Sequence, residues 1–476
     1  MKSYDLVVIG GGAGGLTVAA GAAGLGAKVA LIEKENQLGG DCLHDGCIPS
    51  KAFIESAKHV NHAKKAGVEF GFGIQGDADF NVAMKRVKAA IAQIQKHDDA
   101  KRFRKMGIDV YQGFGRFKDA HHIEIGSGEV IRGKRIVIAT GSRPAIPVIK
   151  GISEVGYHTN ETIFSLDRLP KRLIVVGAGP IGLELAQSFA RFGSQVTVMD
   201  EAPGLFSKED PDLIPYATRA LETEISFMFQ TVVQKAEKRV NGEKTVTVQL
   251  GEETRELAAD EILIAAGRRP NSEHLGLDNI GVQTEDGFIA VKDTLQTSVP
   301  HIYAVGDVVK GFSFTHAAAM EGKTVVANAV LGLKNKISYE HVPWVTFTDP
   351  EVFHLGWTEQ EAREKFGDRI RVIKVPIDEV DRFAADRDHH GLLKVVTDHR
   401  GKILGAHAVG RNAADWMQEV VYAKRYGHKI GRIARVVHPY PSHGAILQKA
   451  VEQYWRELWL ESSLVSWVKR YIRWLR

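Results

Sequence analysis

The residues best suited to chemistry are Cys42 and Cys47, the two cysteines of a 476-residue chain. They stand in Gly39-Gly40-Asp41-Cys42-Leu43-His44-Asp45-Gly46-Cys47-Ile48-Pro49-Ser50-Lys51 with four residues between them. So few cysteines make no disulfide framework, and no third Cys completes a zinc site of the Cys type. The pair reads as a redox-active dithiol, with two buried structural cysteines as the plainer alternative. A regular helix would separate them by roughly 7.5 Å of rise, whereas a disulfide needs Cα atoms about 4.4–6.8 Å apart. The turn must therefore be distorted. Gly46 gives the backbone that freedom, and Pro49 is expected to keep Ile48 out of helical geometry.

A redox pair needs an electron source, and the preceding residues offer a place for one. A strand over 4–9 ends in Gly10-Gly11-Gly12-Ala13-Gly14-Gly15, with G-x-G-x-x-G at Gly10, Gly12 and Gly15. A helical stretch follows to about residue 25, then a strand over 28–32 that ends in Glu33. Strand, glycine turn, helix, strand and acid in this order form a dinucleotide fingerprint. The glycines let the backbone approach a pyrophosphate at the helix N-terminus, and the acid accepts from a ribose hydroxyl. A Gly-rich turn without a ligand is the alternative. The unit recurs at Gly177-Ala178-Gly179-Pro180-Ile181-Gly182, between strands over 173–176 and 195–199, and ends in Asp200. Two fingerprints imply two nucleotide domains and two dinucleotides. No basic residue follows Asp200 and Glu201 until Lys208. The two acids would repel a 2′-phosphate, which favours NADH over NADPH.

Between the fingerprints, residues 79–107 carry a helical apolar face. A strand over 135–138 runs into Ala139-Thr140-Gly141-Ser142-Arg143-Pro144, and a strand over 262–264 runs into its near-echo, Ala265-Ala266-Gly267-Arg268-Arg269-Pro270. Each is expected to be the last strand of a nucleotide domain turning out through Gly and Pro. A strand over 301–305 leads to Gly306-Asp307, an acid placed to hold a polyhydroxyl chain. Beyond residue 340 the texture is α/β without a phosphate loop. Strands are expected near 344–347, 370–375, 392–397 and 403–409, with a helix from about 413 to 426. Val437-His438-Pro439-Tyr440-Pro441-Ser442-His443-Gly444 follows.

Hydrophobic residues at 44% and charged residues at 25% are ordinary for a globular protein. The first strand begins almost at Met1, so no signal peptide is expected. No apolar run reaches about 18 residues, so no spanning helix is expected either. A reducing, cytoplasmic compartment follows, where a lone cysteine pair is more often catalytic than structural. The net charge of +4 is matched by Lys469, Arg470, Arg473 and Arg476, in a stretch without acids. The remaining chain is balanced, which argues against nucleic acid as a partner.

These landmarks together resemble the flavin-dependent pyridine nucleotide–disulfide oxidoreductases, the family of dihydrolipoamide dehydrogenase, glutathione reductase and mercuric reductase. The resemblance covers residues 1 to about 455. It rests on the cysteine segment, on Ile302 to Asp307, on Thr315-His316-Ala317 with Glu321-Gly322, on Val342 to Gly356 and on Ile403-Leu404-Gly405-Ala406. It implies an α/β fold of two doubly wound, Rossmann-like dinucleotide-binding domains with a C-terminal α+β dimerisation domain. The FAD domain would take 1–150 and 272–340, the NAD(H) domain 151–271, and the dimerisation domain 341–455. Cofactor-binding positions would be Gly10, Gly12, Gly14, Gly15, Glu33, Lys51, Thr140, Gly141 and Asp307, and, for NAD, Gly177, Gly179, Gly182, Asp200 and Gly267. Glu184 would pair with Lys51 beside the flavin. Electrons would pass from NADH through FAD to a Cys42–Cys47 disulfide, with Cys47 as the thiolate facing the flavin and Cys42 attacking substrate. His438 of the partner subunit would be the acid–base for Cys42, making the active unit a homodimer.

Three departures leave the electron acceptor open. His443 stands where the family carries a Glu that orients the imidazole, and it can hydrogen-bond there but supplies no fixed charge. His44 and Asp45 occupy uncharged positions of lipoamide dehydrogenases; the carboxylate would raise and a protonated imidazole lower the thiol pKa values. The C-terminal cysteine pair of mercuric reductases is absent from this chain, so mercury transfer is not expected, and no metal site is. Residues 456–476 form a basic amphipathic helix in which Leu464, Trp467, Val468, Tyr471, Trp474 and Leu475 share a face. Contact with the inner face of a membrane and packing on the dimer partner are both open for it. The sequence thus describes an NADH-dependent, dihydrolipoamide dehydrogenase-like enzyme acting on a dithiol/disulfide. The alternatives are a membrane-associated reductase of a quinone, metal ion or small disulfide, and a flavin-bound redox sensor or assembly subunit.

Overall fold

The computed structural model describes residues 1–126, 128–461 and 463–476, the side chains of residues 461, 463 and 464 excepted. The chain forms two units, 1–203 with 225–339, and 204–224 with 340–476.

The first unit is built on a sheet in the order Ile108–Gln112, Val29–Glu33, Ser3–Ile9, Val130–Ile138, His122–Ile125, Gly115–Phe117, and Ile302–Ala304 also pairs with Val130–Ile138. The strands around the first glycine turn are parallel, as expected where helical crossovers cover both faces. Their buried residues accordingly run without alternation: Val7, Val8 and Ile9 point to opposite faces, and all three are inaccessible. A second parallel sheet orders Ser226–Met228, Gln195–Met199, Arg172–Val176, Glu261–Ile264. Beside it lies an antiparallel sheet of Thr231–Lys238, Lys244–Leu250 and Glu253–Ala259.

Several expectations are corrected. Residues 79–107 form two helices, Phe80–Gln95 and Ala100–Lys105. Asp99 accepts from Lys101 N and starts the second one, a capping role open to a short carboxylate. The large sheet does not end at residue 138, because Ile302–Ala304 adds a parallel strand there. The two Gly-Arg-Pro echoes pair with each other, Ser142–Pro144 antiparallel to Arg268–Pro270. The expected helix over 413–426 divides into Ala413–Trp416 and Gln418–Arg425. Near the C-terminus the described residues are helical over Ala445–Glu461 and over Ser463–Trp474. The Leu464 side chain falls outside the described ones.

The second unit is a five-stranded antiparallel sheet, Pro343–Thr346, Glu351–Gly356, Ile403–Gly410, Leu392–Asp398, Ile370–Pro376, against which helices pack. Its interior holds an ion cluster. Lys394, 2% exposed, contacts Asp210 at 2.6 Å, Asp212 at 2.5 Å and Glu359 at 2.7 Å. Burial alone would push the ammonium pKa down, but the three carboxylates hold it above the usual lysine value. Removing one member strands buried charge, which costs about 3–5 kcal/mol. Lys394→Met should therefore lower the urea midpoint markedly, and adding Asp210→Asn and Glu359→Gln should recover part of the loss.

Candidate active site

Gly40–His44 and Cys47–Phe70 are separate helices, interrupted at Asp45 and Gly46. The regular helix that would hold the cysteines apart is thus broken between them. A Cβ at Gly46 would lie 3.0 Å from Asp41 O, tighter than most side-chain contacts. Ile48 is helical after all. Pro49 falls in the first turn of the helix, where backbone N–H groups have no intrahelical acceptor, so proline costs little there.

Cys42 and Cys47 are half-buried, unlinked thiols. The hydrogen bond between them pushes Cys42 well above the ordinary thiol value, helped by burial. The same bond brings Cys47 down to about 6 against the effect of burial, with help from Thr315 and Lys51. Thr315 Oγ1 lies 3.3 Å from Cys47 Sγ and opens the helix Thr315–Leu331. Cys47 itself opens a helix, and helix N-termini favour thiolates. The pair is thus polarised, with Cys47 the thiolate and Cys42 the thiol at neutral pH. Asp41 is the carboxylate that raises both sulfurs, where His44 and Asp45 were expected to act. His44 Nε2 lies 3.1 Å from the Leu38 carbonyl. Asp45 is itself raised to about 7 by burial and by Asp41, Glu161 and Glu35.

Lys51 Nζ donates to Glu184 Oε2 at 2.8 Å. An aromatic cluster sets that distance: Phe53, two residues after Lys51, packs on Phe189 and Phe192 of the helix that carries Glu184, with centroids 5.0 and 5.4 Å apart. Both glycine turns are shaped alike. Gly10 (φ 108°) and Gly177 (φ 110°) adopt backbone conformations that L-residues avoid, and a Cβ on either would collide with the carbonyl of Ala139 or Ala265. At Gly15 and Gly182 a Cβ would strike the carbonyl of Gly10 or Gly177. The middle glycines differ. A Cβ at Gly12 would meet only Gly40 Cα at 3.9 Å, and one at Gly179 would meet nothing within 4 Å. An open backbone face at the start of a helix is what a pyrophosphate requires. The acids brace the turns: Glu33 accepts from Gly11 N and Asp200 from Ala178 N, each at 2.6 Å. Both turns fit a dinucleotide.

Gly14 is buried, and its Cα faces Val305 and Ala318. Thr140 and Gly141 bond to Asn271 (Thr140 Oγ1 to Asn271 O, 2.7 Å; Asn271 N to Gly141 O, 2.8 Å), and Gly267 O accepts from Ala145 N at 2.9 Å. These residues shape the ribbon between the two echoes. Asp307 accepts from Ser142 at 2.7 Å, and Arg268 reaches Ser142, Asp307 and Asp41. This link between the acid at the strand end and the cysteine segment follows from no local motif.

In the second unit, His438 is 11% exposed and its Nε2 lies 2.6 Å from Glu419 Oε2. His443 does not pair with it. Its Nε2 lies 2.9 Å from Asp386; there burial would raise the carboxyl pKa, but bonds from His443 and Arg382 bring it below the usual value. A fixed negative charge therefore does face His438. It comes from the helix Gln418–Arg425, 19 residues upstream, a distance at which sequence spacing carries no signal. Among the described residues no cluster of three or more His, Cys, Asp or Glu could hold a metal ion.

The chain matches the model of the pyridine nucleotide-disulphide oxidoreductases over residues 4–322, and that of their dimerisation domain over residues 342–451. It is 33% identical to a mercuric reductase from Lysinibacillus sphaericus, covering 96% of this chain and 84% of that protein. It is 34% identical to a dihydrolipoyl dehydrogenase from Geobacillus stearothermophilus, covering 94% and 95%. Among solved structures it resembles the HOCl-induced flavoprotein disulfide reductase RclA from Escherichia coli in its Cu(II) complex, with a TM-score of 0.84 and 28% identity, covering 95% of this chain and all of that one. The chain belongs to the pyridine nucleotide–disulfide oxidoreductase family. It is an FAD-dependent, NAD(P)H-linked disulfide oxidoreductase, and its dimerisation domain supports a homodimer.

Proposed function

We propose that the protein works in the cytoplasm as an NADH-dependent reductase of dihydrolipoamide dehydrogenase type, exchanging electrons with a small dithiol or disulfide. The observation that carries this reading is the cysteine pair at a helix start, with Thr315 Oγ1 3.3 Å from Cys47 Sγ, in a chain 34% identical to a dihydrolipoyl dehydrogenase. Residues 1–150 and 272–340 would hold FAD, 151–271 NADH, and 341–455 the dimer contact. FAD held at the first glycine turn would supply, from NADH, the electron pair that opens a Cys42–Cys47 disulfide. Lys51, held by Glu184, would line the FAD site, and its charge favours the Cys47 thiolate. Cys42 attacks a substrate sulfur and releases the first thiol as a mixed disulfide forms. Cys47 then attacks Cys42, the second thiol leaves, and the disulfide closes. His438 of the partner subunit takes the Cys42 proton and returns it to the leaving thiolate.

A second reading, reduction of a metal ion, is favoured by the relatives that include a mercuric reductase and a Cu(II)-bound reductase. Against mercury, this chain has no cysteine besides the redox pair to deliver a soft ion to it. Steady-state NADH oxidation with lipoamide, quinones and metal ions in turn separates the readings, and lipoamide turnover at or below background would refute the first. If Asp200 accepts from the NADH ribose, kcat/KM for NADH should exceed that for NADPH by about tenfold or more, since an unpaired like charge is costly. The reverse order would overturn that role of Asp200.

A further inference from the structure

We propose that the helix Ser463–Trp474 docks the protein on an anionic lipid surface, lying in the headgroup region. The proposal is independent of the choice of electron acceptor. At about 100° per residue, Val465, Trp467, Val468, Tyr471, Ile472, Trp474 and Leu475 fill one half of the helix circumference. Ser466, Lys469, Arg470, Arg473 and Arg476 fill the other, so no cation falls on the apolar half and no apolar residue on the basic half. That division needs two different environments. The two indoles of the apolar half stay in water, Trp467 72% and Trp474 80% exposed, while Val465 and Val468 are half-buried.

Charge selects the occupant. Residues 463–476 contain four cations and no acid, so a second copy of the helix packed on the first would bring like charges together along both borders. A lipid surface with anionic headgroups complements them, at roughly 1 kcal/mol per Lys or Arg near the surface, about fivefold each. Trp467 and Trp474 lie on the apolar side of the border with Arg470, where an indole keeps its ring in hydrocarbon and its N–H among headgroups. The helix lies on the bilayer and does not cross it. No described helix is long and apolar enough to span a bilayer.

The test is sedimentation of the full-length, FAD-loaded protein with vesicles of phosphatidylcholine alone or mixed with phosphatidylglycerol. Binding is expected only to the mixed vesicles, and at least about tenfold weaker at 0.5 M than at 0.1 M salt. Changing Lys469, Arg470 and Arg473 together to Gln should weaken it by about 100-fold. Trp467→Ala with Trp474→Ala should also weaken it, while NADH oxidation with a soluble acceptor stays unchanged in both variants. Absence of binding to anionic vesicles overturns the proposal, as does binding indifferent to salt and to both variants. Loss of the dimer in the Trp variant, without vesicle binding by the parent protein, assigns the face to a second copy and equally overturns it. Failure of NADH oxidation in the parent protein would refute the reductase reading and leave the lipid proposal standing.

Discussion

Replacing Cys47 by serine will abolish the long-wavelength absorption that anaerobic NADH titration otherwise produces, and will reduce turnover by at least about a thousandfold. The band requires a thiolate against the flavin, and Cys47 is the sulfur held in that form, at about 6, by its hydrogen bonds to Cys42 and Thr315 and by the Lys51 charge. The sign of the pH dependence follows. Above pH 6 the thiolate dominates and the band is full; below it the thiol dominates, so the band should fade as pH falls through about 6. Cys42→Ser should behave differently, because Cys42 is raised and stays a thiol. That variant should keep a thiolate at Cys47 but lose the disulfide, and with it both electron transfer to the sulfur pair and exchange with substrate. A band that survives in Cys47→Ser would exchange the roles of the two sulfurs or remove them.

The second large effect concerns Glu419. Glu419→Gln preserves the shape of the 2.6 Å contact with His438 and removes its charge. In the proposed mechanism the imidazole that accepts the Cys42 proton becomes a cation, and the carboxylate would stabilise that state. Losing an acid–base group costs about 10²–10⁴-fold, and losing its charged partner should cost about 10–100-fold in dithiol turnover. Stopped-flow measurement separates this role from a structural one. The half-reaction with NADH, and its absorption band, should be unchanged, while reoxidation by the disulfide substrate slows. His443→Ala should leave both half-reactions near normal, since His443 is engaged with Asp386. Equal slowing of both half-reactions by Glu419→Gln would refute the pairing.

These residues also mark how far local reading of the chain extends. The glycine turns were legible because their constraints act within one strand–helix unit: a Cβ at Gly15 or Gly182 meets a carbonyl five residues earlier. The interruption between Cys42 and Cys47 was legible from bond geometry. Pro49 was misread because the rule against helix before proline loses its force in a first turn. The interruption of 79–107 did have a signal, the capping carboxylate of Asp99, hidden by an apolar period that continues across it. The pairings Glu419 with His438, Arg268 with Asp307, and one Gly-Arg-Pro echo with the other join segments from 19 to 126 residues apart. They depend on how sheets are ordered, which residue type and spacing do not encode.

The segment 204–224 has a consequence for how this protein can be divided. It leaves the nucleotide-binding unit, supplies Asp210, Asp212, Leu213 and Ala217 to the other, and returns. The peptide chain therefore crosses between units three times. A fragment that stops at residue 339 would strand the Asp210 carboxylate without its lysine and the Leu213 and Ala217 side chains without their cover. Exchange of the dimerisation unit with a relative, by recombination or by design, would need two grafts made together, because the strands of that unit and the short insert that completes it are inherited from separate stretches of the gene.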